Sequence, residues 1–169
     1  DLARSVPDTG GVRLVPAFTG LGAPHWDPDA RAAILGLTRG SGRPELVRAA
    51  LEAIALQNAE LVDLLRSEGE APIRAMLVDG GAAANDLLMQ LQADLAGLTV
   101  SRPPAVEATA RGAATLAGLG LGWWPDGSKP PALVEPGAAF EPDLAEPMRR
   151  ARLDRWRRDV ELVRAASRP

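Results

Sequence analysis

From residue 74 onward the chain alternates short apolar stretches with helical ones, and this order limits the folds open to it. Residues 74–78 read as a compact strand, and residues 85–96 as a helix with Leu88, Leu91 and Leu95 on one face and Gly97 at its stop. A second strand at residues 98–101 closes on Pro103-Pro104, and residues 108–119 form a helix of small residues. Strand, helix, strand, helix implies βαβ units, in which a sheet with parallel strands lies between helices. Ligands on such sheets bind beyond the carboxyl ends of the strands. Asp79-Gly80-Gly81 lies at such an end, so chemistry is sought there first.

The earlier part of the chain supports an α/β reading. Residues 12–18 and 33–37 are short strand candidates, separated by a glycine- and proline-rich loop over residues 19–29. Pro44 suits the first turn of a helix. Val47, Leu51, Ile54, Asn58, Leu61 and Leu65 then follow at helical spacing to Gly69, which predicts the longest helix of the chain. Residues 1–10 read as a polar turn segment with no helix start, a lead-in caught in mid-course. Residues 120–142 read as a long irregular connection, and residues 144–166 as a final helix rich in arginine.

Composition excludes several classes. Hydrophobic residues make up 46% of the 169 residues and charged ones 24%, enough apolar material for a real core. The net charge is −3 with no basic run, which argues against a nucleic-acid coat. The absence of cysteine removes a disulfide scaffold, a thiolate metal site and a cysteine nucleophile, and is compatible with a cytoplasmic setting. No apolar run approaches the ~18 residues of a membrane span.

The chemistry available at residues 79–85 belongs to the backbone. Two successive glycines between strand and helix let a ligand approach the main chain, and the helix N-terminus favours an anion. Asn85 could offer an amide to a base or a ribose. The same residues also fit a plain tight turn with Asn85 as the helix N-cap. The pattern is neither a Walker loop nor the Rossmann fingerprint.

Residues 78–85, Val-Asp-Gly-Gly-Ala-Ala-Ala-Asn, resemble the adenosine motif of the FGGY carbohydrate kinases. Three further blocks agree in order. Residues 16–28 (Pro-Ala-Phe-Thr-Gly-Leu-Gly-Ala-Pro-His-Trp-Asp-Pro) are similar to a segment of the glycerol-phosphorylating branch. Residues 32–37 with Glu45-Leu46 and residues 49–52 resemble the second family signature, and residues 111–118 the small-residue helix that follows. The likeness spans roughly residues 10–145. Relatives such as the xylulose kinases differ where this chain has Gly20 to Pro24.

The resemblance implies an α/β fold, part of an actin-like (ribonuclease-H-like) ATPase domain with a mixed sheet and flanking helices. Residues 1–169 would then be an incomplete second, C-terminal domain of a longer kinase. It implies transfer of the ATP γ-phosphoryl group to glycerol with Mg²⁺. Gly81 and Asn85 carry over as ATP/ADP contacts and Gly80 as part of the same turn. The catalytic base, the glycerol contacts and the threonine-bearing phosphate loop precede this chain, so no catalytic or metal residue is assigned in it and the isolated chain is expected to be inactive. With the domain's first strands absent, a sheet edge and apolar helix faces should be left uncovered. Self-association into a homo-oligomer, element swapping or a longer parent product would cover them. The rival readings are another sugar or polyol kinase of the family, such as a xylulose kinase, and a nucleotide-binding or interaction module without catalysis.

The remaining conspicuous residues read as structural. His25, the single histidine, fits a loop role better than a metal or acid–base role. Asp27 and Asp29 flank Pro28 as turn formers. Asn58 is expected to be a satisfied buried polar group, and Trp123-Trp124-Pro125 to pack rather than stack on a base. The last helix, with Arg149, Arg150, Arg152, Arg155, Arg157 and Arg158 among Glu146, Asp154, Asp159 and Glu161, reads as a solvated, ion-paired face.

Overall fold

The computed structural model describes residues 1–69, 72–104, 107–124 and 137–167. Strands β1 (Arg13–Val15) and β2 (Ala33–Leu35) pair antiparallel, with Arg13 opposite Leu35 and Val15 opposite Ala33. Helix α1 (Arg43–Glu68) follows, with Pro44 in its first turn and the Glu45 carboxylate accepting the Gly42 N–H at 2.9 Å. Strand β3 (Ala75–Leu77) connects through helix α2 (Asp86–Ala96) to strand β4 (Thr99–Arg102), and the two strands are parallel. Helix α3 (Ala108–Gly120) comes next. Strand β5 (Ala138–Phe140) pairs antiparallel with β4, and helix α4 (Glu146–Ser167) ends the described chain. The sheet order β3-β4-β5 makes a mixed α/β fold.

Most expected elements are present within a residue or two of their predicted ends. Three points differ. Residues 2–4 form one 3-10 turn where the sequence predicted no helix start; Ser5 Oγ donates to Leu2 O and Arg48 Nη1 to Ala3 O, which fixes the turn on α1. Within the tract expected to be wholly irregular, residues 138–140 form β5; residues 125–136 of it, with Pro125, lie outside the described residues. Ala138 and Ala139 have little β propensity of their own and only Phe140 favours a strand, so the pairing depends on the neighbouring β4.

The third difference lies in α1. Only part of its large apolar stripe is buried: Leu51 packs against a core cluster, but the fully buried positions lie elsewhere. Val47, Ile54 and Leu65 are exposed, Ile54 at 41%, whereas Ala49, Ala53, Ala55, Ala59 and Val62 face the core. An alanine face lets neighbouring helices approach closely, and α1 runs through both core clusters. One cluster gathers Leu88, Met89, Leu91 and Leu95 of α2 with Val100 and Leu153. The other gathers Val15, Ala17, Leu21 and Ala30 with Trp156, Val160 and Val163 of α4. Asn58 is half-buried and donates to Gln92 Oε1 at 2.7 Å, the satisfied polar group expected of it. Gly97 caps α2 in the left-handed region (φ 60°), and Arg66 donates to the carbonyls of Ala96 and Gly97.

Uncovered apolar surface is present as expected. Leu116, Leu119 and Leu121 on or just after α3, Trp123 beyond them and Leu77 of β3 are exposed. Among the described residues β3 pairs with β4 alone. Trp123 and Trp124 meet edge to face at 6.2 Å, with Gly118 directly beneath them.

The ion-paired reading of α4 holds for Arg150 and Arg157 but not for all its charges. Arg149 and Asp159 are buried, Arg149 against Asp63, Glu146 and the Leu95 carbonyl, Asp159 against Arg13. The Arg149 and Arg150 guanidiniums hold the Glu146 carboxyl down at about 2, against an ordinary 4.5.

Two outcomes follow. Leu95, fully buried, should cost about 2–5 kcal/mol on Leu95→Ala in urea unfolding, while the exposed Leu65→Ala stays within about 0.5 kcal/mol. Because the Glu146 carboxyl is depressed on folding, its contribution is present above pH 4.5 and fades as pH falls toward 2. Unfolding followed across that window should show a shallower pH dependence for Glu146→Gln than for the parent chain.

Candidate functional site

The turn after β3 is the feature the sequence singled out. Val78 N–H still donates to Ser101 O at 3.0 Å, which extends the parallel pairing one residue beyond β3. The chain then breaks away. Gly80 has φ +83° and ψ 171°, a conformation that only glycine adopts without strain. Residues Gly81–Ala84 make a single 3-10 turn, with Ala83 buried beneath it. A Cβ placed on Gly80 or Gly81 would meet nothing within 4 Å. The main chain here faces open space, so a ligand can reach it.

Asn85 stands at the N-cap of α2. Its Oδ1 accepts the N–H groups of Leu87 at 3.1 Å and Leu88 at 3.3 Å. This is the capping geometry the plain reading required, and it also orients the amide. With Oδ1 committed, Nδ2 is left to donate outward from an exposed side chain. Gly80, Gly81 and Asn85 are thus brought together at the carboxyl end of β3 and the N-terminus of α2.

Arg102, at the end of β4, braces the turn and was not singled out from the sequence. Its Nη1 donates to Ala83 O at 2.8 Å and to Asp86 Oδ1 at 2.7 Å, and its guanidinium lies 5.3 Å from the Phe140 ring centre. The signal was available: β4 runs parallel to β3, so its carboxyl end lies beside Asp79-Gly80. The partner Phe140 was not foreseeable, because β5 was not.

The loop over residues 19–29 sits apart from this turn, around Glu60. Glu60, 7% exposed, accepts from Trp156 Nε1 at 2.9 Å, and His25 Nε2 lies 3.1 Å from the same oxygen. This contact ties the loop to α1 at His25. Asp27 Oδ1 accepts the N–H groups of Asp29 and Ala30, the expected turn, and its Oδ2 pairs with Arg164 at 3.3 Å. Burial pushes the Asp27 carboxyl up, but Arg164 and the two backbone N–H groups outweigh it and leave it below the ordinary value. Glu60 was missed because it sits among alanines on a face that helical spacing alone did not mark as buried. Among the described residues no group of three or more His, Asp or Glu could hold a metal ion. No helix of the described residues is long and apolar enough to cross a membrane.

Residues 1–121 match the C-terminal domain of the FGGY family of carbohydrate kinases. A glycerol kinase of Aromatoleum aromaticum is 56% identical over 163 residues, 96% of this chain and 33% of that protein. A glycerol kinase of Bordetella parapertussis is 52% identical over 168 residues, 99% of this chain and 33% of that protein. The chain spans about a third of the length of these relatives. Among solved structures, Plasmodium falciparum glycerol kinase with ADP superposes with a TM-score of 0.82 at 36% identity, covering 96% of this chain and 33% of that one. A ligand-bound xylulose kinase from Lactobacillus acidophilus gives 0.74 at 25% identity, covering 98% and 33%. The fold is accordingly part of an actin-like ATPase domain. With more than half of its length matched by the family's C-terminal domain, this chain belongs to the FGGY carbohydrate kinases.

Proposed function

We propose that this chain is the ATP-binding portion of a glycerol kinase, which transfers the γ-phosphoryl group of ATP to glycerol and yields glycerol 3-phosphate. The observation that carries the reading is the turn at residues 79–85. It is an open, glycine-lined backbone bend at the end of a parallel strand, heading a capped helix, in a chain similar to a glycerol kinase solved with ADP. The 36% identity to that kinase, against 25% to the xylulose kinase, favours glycerol over a sugar as the acceptor.

In this reading Gly80 and Gly81 admit the adenosine end of the nucleotide to the main chain, and Asn85 Nδ2 donates to an acceptor on the ribose or base. Arg102 is a positioning residue that keeps the turn in place through Ala83. ATP supplies the phosphoryl group, with Mg²⁺ carried on its phosphates; no residue of this chain is assigned to the ion. The base that takes the glycerol proton and the clamp on the γ-phosphate lie outside these residues, and phosphoryl transfer depends on such positioning and charge neutralisation. The exposed apolar residues from Leu116 to Trp123 fit packing against the rest of the enzyme or a second copy.

The glycines separate backbone strain from ligand approach. Gly81 lacks the positive φ of Gly80 and has free space around it, so the fold tolerates a side chain there. In the full-length enzyme Gly81→Val should raise the KM for ATP at least about tenfold, roughly 1.4 kcal/mol, with thermal stability little changed. An unaltered KM would overturn the assignment. Asn85→Asp keeps the cap acceptor and removes the donor, so it should raise the KM for ATP with stability retained. Asn85→Ala should additionally cost about 0.5–2 kcal/mol. A polypeptide confined to residues 1–169 should show no glycerol phosphorylation; steady turnover by highly purified material would contradict this.

A further inference from the structure

One cavity shares no lining residue with the turn at 79–85. It is about 420 Å³ in volume, within the range of small-molecule sites, and lies between residues 8–14, α1 and α4. Its charges are unevenly committed. Asp159 is held by Arg13 at 2.7 Å, Glu52 by Arg48 at 3.3 Å, and Asp8 accepts the Gly10 N–H at 2.7 Å. Arg152 and Arg155 also line the cavity, and among the described residues neither pairs with a carboxylate. This sets them apart from Arg149, Arg150, Arg157 and Arg164 on the same helix, all of which are paired.

Arg152 and Arg155 stand three positions apart on α4, which brings two like charges together on one face of the helix. An anion between them would relieve the repulsion, and guanidinium groups suit the planar or multi-oxygen head of a carboxylate or phosphate. Arg13 spends Nε and Nη1 on Asp159 and Gly11 O, leaving Nη2 for a third contact. Beside these charged groups the wall carries an apolar part, with Val12, Leu56 and the Trp156 ring, whose N–H is already given to Glu60.

We propose that this cavity binds a small organic anion, its phosphate or carboxylate head between Arg152 and Arg155 and an apolar body against Val12, Leu56 and Trp156. The proposal does not rest on the nucleotide reading. The test uses the full-length protein saturated with ADP, so that binding at the turn does not interfere. Phenyl phosphate, benzoate and inorganic phosphate are titrated calorimetrically. The expected result is saturable binding of phenyl phosphate or benzoate, the tighter one naming the head group, with inorganic phosphate at least threefold weaker. The double variant Arg152→Gln, Arg155→Gln should weaken binding at least tenfold, the charge-preserving Lys pair less, and Arg158→Gln, outside the cavity, not at all. Silence toward all three probes, binding untouched by the double variant, or inorganic phosphate binding as tightly as phenyl phosphate would overturn the proposal. So would a crystal structure of the full-length protein with a segment of its own chain filling the cavity.

Discussion

The alanine face of α1 is the constraint on which the rest of this structure depends. Ala53, Ala55 and Ala59 present almost no side-chain bulk, so α2 and α4 can pack close to the α1 backbone. Both core clusters include residues of this one helix. A larger residue at any of these positions would force its neighbours apart, and interiors packed near crystal density have no slack to absorb it. Over its 26 residues α1 is about 39 Å long, enough to serve as a common wall for the β1–β2 pair, the strand–turn–helix unit that begins at β3 and the final helix.

Polar groups fix what the alanines leave unspecified. A smooth apolar face lets helices slide, whereas a buried carboxylate accepts only particular donors. Glu60 takes Trp156 from α4 and His25 from the loop. Asp63, three residues on, takes Arg149 and Arg157 of α4. Asp27 in the loop takes Arg164 at the far end of the same helix. Each pair joins elements distant in sequence, and among the described residues no buried side-chain nitrogen or oxygen lacks a hydrogen-bond partner. These contacts set the register of α4 against α1 and hold the glycine-rich loop down at Leu21 and Ala30.

The turn at residues 79–85 is held by other means. It is open above and braced below. Gly80 and Gly81 leave the main chain accessible, Asn85 caps the start of α2, and Arg102 ties the buried Ala83 carbonyl to the Asp86 carboxylate from the adjacent parallel strand. The bend is thus tied down through Ala83 and the start of α2 while its open side stays bare of side chains.

Much of this was legible in the sequence because it is local. Glycine at a positive φ, asparagine before a helix and proline in a first turn carry their conformational preferences in their own covalent structure, so the strand–turn–helix at 74–96 could be read directly, whereas the choice of Gly80, Gly81 and Asn85 as candidate residues came from the family resemblance. The long helix was legible too, but its buried side was not. Helical spacing marks where large apolar residues recur, and Val47, Ile54 and Leu65 do recur; only the packing of α2 and α4 determined that the alanines turn inward. Strand β5, the Arg102–Phe140 contact and the Glu60 cluster were likewise decided in three dimensions. In each, the partners lie tens of residues apart and neither one alone has a preference that names the other. Local torsional preference thus set the elements and the turn, while the choice of which faces meet came from burial and charge pairing that exist only once the chain has closed on itself.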